Sequence, residues 1–143
     1  MMQEKVFFDT NIVLDMLGKR EPFFQSAEKV FKLGETGKME LQISSLTFIN
    51  VQYILRKQIG KEPTKKVIRS LRLLCTICNT GEREIDLALL SEMEDFEDAV
   101  QYFTAINNNS KVIITRNGND FRGSQIPIMT AEEYLNSLED IDM

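Results

Sequence analysis

The sequence predicts a three-layer α/β/α sandwich on a central, mostly parallel sheet of about five strands, and three observations predict it. Short β-branched or aromatic runs, such as VFF at 6–8 and VII at 112–114, alternate with amphipathic segments along the whole chain. That alternation is the pattern of a parallel sheet covered on both faces. The polar residues Asp9, Ser44 and Thr115 stand at the ends of apolar runs, and right-handed crossovers carry such strand ends to one edge of the sheet. The length of 143 residues suits one domain with a single core. All of 1–143 is read as that domain, with an acidic tail fraying from about residue 139.

The first strand covers 6–8, and DTN turns it into a helix with Ile12, Val13, Met16 and Leu17 at helical spacing. Asp9 then ends a buried strand, the position at which open parallel sheets bind ligands. It is either a site acid or the cap of the helix, and Thr10 and Asn11 are available to cap in its place. Pro22 is placed to open a second helix, whose apolar stripe runs from Phe23 and Phe24 through Ala27, Val30, Phe31 and Leu33 to Gly34 and Gly37. A second strand covers 41–43, after which Ser44 and Ser45 can cap a third helix over 46–58. Asn50 falls on the apolar face of that helix, where a polar side chain needs partners or lines a cavity.

Gly60 and Pro63 bracket a turn before a helix over 64–74. Lys61, Lys65, Arg69 and Arg72 make one basic stripe on or beside it, by default a solvated face and otherwise a surface for phosphates. A third strand covers 74–78 and a short helix 86–93. Five of the seven residues from Glu92 to Asp98 are acidic. The next helix turns Phe96, Ala99, Val100, Phe103 and Ile106 to the core and stops at 107–109. Asp95 with Asp98 three residues on resembles a capping box and explains one or two of these acids. The others repel one another, and a cation would relieve them. A fourth strand over 111–115 runs into the polar turn RNGNDF and repeats the arrangement at Asp9. A fifth strand over 126–129 and a helix over 131–138 complete the fold.

Composition narrows the chemistry. The chain has no histidine, which removes Ser-His-Asp, Cys-His and histidine-metal sites together. Cys75 and Cys78 form a lone C-x-x-C with too few partners for zinc, and their place in a buried strand reads as two inert core thiols. Seventeen basic residues against 22 acidic ones give a net charge of -5, so binding to nucleic acid through overall charge is not expected. No apolar run approaches the roughly 18 residues of a membrane span. Glu4 and Lys5 stand where a secretory leader would be apolar, so a cytoplasmic protein is expected.

Asp9, Asp95, Asp98, Asp120, Asn50 and Asn117 are the polar groups that could meet at one strand-end cleft. All are hard oxygen donors, which suit Mg²⁺ or Mn²⁺ and metal-assisted hydrolysis of a phosphodiester. With FFDTNIVLD, ISSLTFINVQYILRK, DFEDAVQYFTA and IITRNGNDF in that order, the chain resembles the PIN-domain nucleases, which include the toxins of bacterial type II toxin-antitoxin pairs. The resemblance implies that clustered acids hold Mg²⁺ or Mn²⁺ and cut RNA. It places Asp9 and Asp98 as metal-binding acids, with Asp95 beside them and Asp120 or Asn117 completing the site. Thr10, Asn11 and Thr115 match the small polar residues that keep the site in shape, and the resemblance places them among the substrate-binding residues. Asn50 stands where most of the family has glutamate, and an amide brings neither charge nor base. Arg116, with Lys61, Lys65, Arg69 and Arg72, would orient backbone phosphates. The resemblance also implies an antitoxin partner and a homodimer.

Two other readings stay open at this point. One is a PIN-like module that binds RNA or protein without cutting. The other is a haloacid-dehalogenase-type phosphatase with Asp9 as nucleophile, although Asn11 replaces that family's second acid.

Overall fold

The computed structural model describes residues 3–116, 118–121 and 123–141, and among these the side chains of all but residues 119, 120, 140 and 141. In chain order the elements are β1 (Lys5–Phe8), α1 (Thr10–Leu17), α2 (Phe24–Glu35), β2 (Glu40–Ser44), α3 (Ser45–Ile59), α4 (Lys61–Leu74), β3 (Thr76–Cys78), α5 (Glu82–Leu90), α6 (Phe96–Asn107), β4 (Val112–Ile114), a 3-10 turn (Gly118–Phe121), β5 (Ile128–Met129) and α7 (Ala131–Ile141). The strands form one five-stranded sheet in the order β3-β2-β1-β4-β5, and every pairing is parallel.

β1 lies in the middle because its apolar run can be buried on both faces: Val6, Phe7 and Phe8 are fully inaccessible. Successive side chains of a strand point to opposite faces. Val6 and Phe8 therefore pack with Val13, Val30, Phe31, Val51 and Tyr134, a core that α1, α2, α3 and α7 cover. Phe7 packs on the other face with Ile113, Cys78 and Tyr102 beneath α6, and α5 lies against α6. Gly34 belongs to this packing, since a Cβ there would come within 3.2 Å of the Leu41 side chain. The chain proceeds from β1 to β2 and β3 on one side, then crosses to β4 and β5 on the other. The order therefore reverses between β1 and β4, and such a switch point is where parallel sheets open a cleft at their carboxyl ends.

Several boundaries differ from expectation for local reasons. α4 begins at Lys61 rather than at 64, because Pro63 falls in the first turn, where no intrahelical N–H is needed. α5 begins at Glu82 rather than at 86, because the Glu84 carboxylate reaches back to the Gly81 N–H at 2.8 Å and closes the first turn. α7 runs on to Ile141, past the expected end at 138. Phe96, expected in the core, is half exposed, since it opens α6 ahead of the turns that lie on the sheet. Both thiols are free and buried. Burial pushes Cys75 up to about 11 and Cys78 up to about 12, so neither is a thiolate near neutral pH. Among the described residues no helix is long and apolar enough to cross a membrane.

Glu84 ties α5 to α6 by accepting from Asn107 as well as from Gly81. The Asn107 amide first, then the backbone N–H groups, hold its carboxyl below the usual 4.5, against the opposing effect of burial. A lowered folded value stabilises fully above 4.5 and is lost as pH falls through that lowered value. Asn107→Ala is therefore expected to cost about 1 to 2 kcal/mol at neutral pH. The difference should narrow toward pH ~3, and urea denaturation at the two pH values measures it.

Candidate active site

The site begins with Asp9, which β1 delivers to the switch point. Its N–H continues the sheet by donating to the Ile114 carbonyl at 3.0 Å. Its carboxylate is nearly buried and held at both ends. Oδ1 accepts from the Thr10 N–H at 2.8 Å, and Oδ2 accepts from the Thr115 hydroxyl at 2.9 Å. Asp9 itself is thus the cap of α1, and Thr10 and Asn11 are not. Of the two readings the sequence left open for Asp9, the cap is the one the structure shows. Thr115 directly follows β4 and is fully buried, so the ends of the two strands flanking the switch point fix the acid between them.

α6 brings the second group of acids. Asp95 caps it, accepting from the Asp98 N–H at 2.9 Å, and Asp98 lies half-buried in the first turn. Between them stands Glu97, which the sequence reading passed over as one more member of the acidic run. Partial desolvation first, then the charges of Asp9 and Asp95, raise its carboxyl above the usual range. Asn50, half-buried on α3, donates its amide to Glu97 Oε1 at 3.4 Å. The chain therefore meets the asparagine on α3 with an acid from α6. The signal was present in the sequence as the adjacent pair Glu97-Asp98.

Beneath the acids runs a buried polar network that the sequence reading also missed. Ser44, the cap of α3, accepts from the Thr47 N–H and donates to the Thr47 hydroxyl at 3.1 Å. Thr47 and Thr10 share a hydroxyl contact of 2.8 Å. The Gln101 amide donates to Thr47 at 2.8 Å and to Thr10 at 3.2 Å. These bonds tie α1, α3 and α6 together behind the cleft.

A further missed residue is Asp15, fully buried on α1. Arg20 approaches its Oδ1 at 3.2 Å and Arg116 its Oδ2 at 3.1 Å. The Arg116 guanidinium also lies over the Phe23 ring, 4.2 Å from its centroid. With Nε turned to Asp15, Arg116 has only its terminal nitrogens to offer a phosphate. Asn11 accepts from Arg20 at 3.3 Å and so belongs to this cluster.

Lys61, Lys65, Arg69 and Arg72 are exposed on α4, which packs on α3. Arg72 donates to the Cys75 carbonyl at 3.2 Å. Among the described residues no hydrogen bond or ion pair joins the stripe to the cleft acids. Asn117 lies outside the described residues. Asp120 falls in the 3-10 turn that follows β4, and its side chain is likewise outside them.

A divalent cation fits the donor set by its chemistry. The donors are hard carboxylate oxygens, one of them rigidly aimed, and the charges of Asp9 and Asp95 bear on Glu97 in a way a cation would relieve. Among the described residues, however, no three Asp, Glu, Cys or His side chains form a group that could hold a metal ion.

The chain is thus a small parallel α/β domain with a buried aspartate at its switch point, faced by acids from a helix on the far layer. The chain belongs to the PIN domain family, whose model matches residues 5–119. It is 29% identical over 139 residues to ribonuclease VapC1 of Aquifex aeolicus, an alignment covering 94% of this chain and 95% of that protein. Among solved structures, a toxin-antitoxin complex from Klebsiella pneumoniae superposes with a TM-score of 0.66 at 24% identity, over 88% of this chain and 97% of that one. VapBC2 from Rickettsia felis, bound to a DNA fragment from its promoter, superposes at 0.65 with 19% identity, over 87% and 96%. At these identities the likeness is one of fold.

Proposed function

We propose that this chain is a metal-dependent endoribonuclease that hydrolyses RNA phosphodiester bonds, and that it acts as the toxin of a toxin-antitoxin pair in the cytoplasm. The observation that carries the reading is the Asp9 carboxylate, fixed at the β1–β4 switch point by the Thr10 N–H and the Thr115 hydroxyl and faced by the acids that open α6. The relative named as a ribonuclease, aligned over nearly the whole chain, supports it.

In this reading Asp9 and Asp98 hold Mg²⁺ or Mn²⁺, with Asp120, Asp95 or Glu97 completing the shell directly or through water. The ion, when bound, lowers the pKa of a water and offsets charge that builds on the phosphoryl oxygens. Thr115 and the Thr10 N–H keep Asp9 in one orientation, so binding costs little reorganisation. Asn50 orients Glu97 and supplies no charge of its own. The terminal nitrogens of Arg116 and the α4 stripe of Lys61, Lys65, Arg69 and Arg72 steer the backbone phosphates without reading sequence. An antitoxin protein, and a second copy of the chain, are the partners this reading carries. The domain is taken as 1–143.

The test is cleavage of a mixed panel of labelled tRNAs and structured RNAs with Mg²⁺, with Mn²⁺ and with chelator, beside Asp98→Ala. Cutting that needs metal and is lost in the variant is the expected result. A second reading, a PIN-like module that binds without cutting, is favoured by the uncharged Asn50. It would be supported by a chain that cuts nothing in the panel while its melting temperature still rises with Mn²⁺.

A further inference from the structure

The hydroxyl network behind Asp9 has a direction, and that direction bears on substrate. Each hydroxyl oxygen accepts at most two hydrogen bonds and donates one. Gln101 spends both amide hydrogens, on Thr47 and on Thr10. Ser44 donates to Thr47, so the Thr47 oxygen already accepts twice, from Ser44 and from Gln101. Its own proton must then go to Thr10, 2.8 Å away. Thr10 Oγ1 in turn accepts from Thr47 and from Gln101, and its own proton is left over. Reversing the chain would strand a proton on Ser44, which is fully buried. Turning the Gln101 amide over would strand two hydrogens in the interior, whereas the present orientation leaves only its Oε1 without a partner among the described residues. Of the four, Thr10 alone is half-buried rather than buried, and it is also the residue whose N–H holds the Asp9 carboxylate, so the surplus proton lies at the end of the chain of hydroxyls next to the cleft acid.

The geometry points to Thr10 as a substrate-contacting donor: its hydroxyl gives a hydrogen bond to a non-bridging oxygen of the phosphate at the cleft, and Gln101 is the positioning residue that holds it in the donating sense. This rests on the nuclease reading above. An anionic phosphate is the acceptor this donor suits, because the hydrogen bond is charge-assisted and strengthens as charge grows on that oxygen in the transition state.

Single-turnover cleavage, with enzyme in excess and using the RNA of the panel that the wild type cuts fastest, tests the inference. Thr10→Val is expected to slow the saturated rate about tenfold or more, with half-saturation changed by no more than about twofold. Thr10→Ser should restore most of the rate, since the hydroxyl and its two acceptor positions remain. Gln101→Leu should lose rate by a smaller factor. The double variant should be no slower than Thr10→Val alone, because Gln101 acts through Thr10. Thr47→Val serves with the same expectations should Gln101→Leu fail to fold. A Thr10→Val protein that cuts at the wild-type rate overturns the inference, as does a double variant whose loss is the product of the two single losses. A wild type that cuts nothing overturns the nuclease reading and this inference with it.

Discussion

Asp9→Asn is expected to reduce cleavage by about a thousandfold or more, because it removes the best-held charge of the site. The same substitution should leave the melting temperature close to that of the wild type. Asparagine keeps an oxygen for the Thr10 N–H and is as good a cap as aspartate. Its new amide would face the Thr115 hydroxyl, which can rotate from donor to acceptor. Asp9→Ala lacks both provisions. It deprives α1 of its cap and leaves the buried Thr115 hydroxyl without the acceptor it has at 2.9 Å, a combined cost of about 1 to 3 kcal/mol. The alanine variant therefore confounds lost chemistry with lost stability, and the asparagine variant separates them. Thermal melts of both beside the RNA panel are the measurement. Cleavage that survives in Asp9→Asn would remove Asp9 from the reaction, and with it the assignment of this cleft.

The sequence made the strand-end acid legible because it breaks a pattern: a carboxylate directly after three buried apolar residues has few structural reasons to be there. Ser44 and Asp95 were legible as caps for a similar reason, since each stands at a change of period. Asn50 was legible as a polar residue on an apolar face, though not its partner. Asp15 carries the same signal, one turn on from Ile12 on the buried side of α1, and was passed over inside VLD. Its meaning depends on Arg116, about a hundred residues away, and no local pattern joins the two. Gln101 and Thr47 were hidden for another reason. A lone Gln or Thr within a helix reads as solvated unless the helix is known to be buried on two sides, and α6 is, with Gln101, Tyr102 and Thr104 all inaccessible or nearly so. The same misjudgement of how α6 sits put Phe96 in the core. Glu97 was lost in a crowd of like charges, where only three-dimensional placement separates the acids facing Asp9 from those facing water.

The Asp15 cluster yields the largest effect expected on stability. Arg116→Met should destabilise the protein by about 3 kcal/mol at neutral pH, because it leaves a buried carboxylate short of one of its two partners. Asp15 is wholly inaccessible, whereas the Arg116 and Arg20 side chains are 27% and 42% exposed. Either arginine can turn to water if the pair is broken, but the carboxylate cannot. Burial already pushes the Asp15 carboxyl above its usual 3.8, with Arg116 and then Arg20 opposing. Without Arg116 the opposing charge weakens and the folded value rises further. A carboxyl whose folded value lies above its unfolded one costs nothing below the unfolded value, increasingly more as pH rises from that value to the folded one, and the full amount above it. The deficit of Arg116→Met should therefore be widest near pH 8 and narrow toward pH ~4, the reverse of the trend expected for Asn107→Ala. Loss of the Phe23 stacking contact adds a part that does not depend on pH, about 0.5 to 1 kcal/mol. Asp15→Asn added to Arg116→Met should recover most of the pH-dependent part, since it removes the charge that was stranded. Chemical denaturation of the single and double variants at both pH values is the measurement. A deficit that is equal at the two pH values, and not reduced by Asp15→Asn, would mean that Arg116 stabilises the turn after β4 through packing on Phe23 and not through the charge on Asp15.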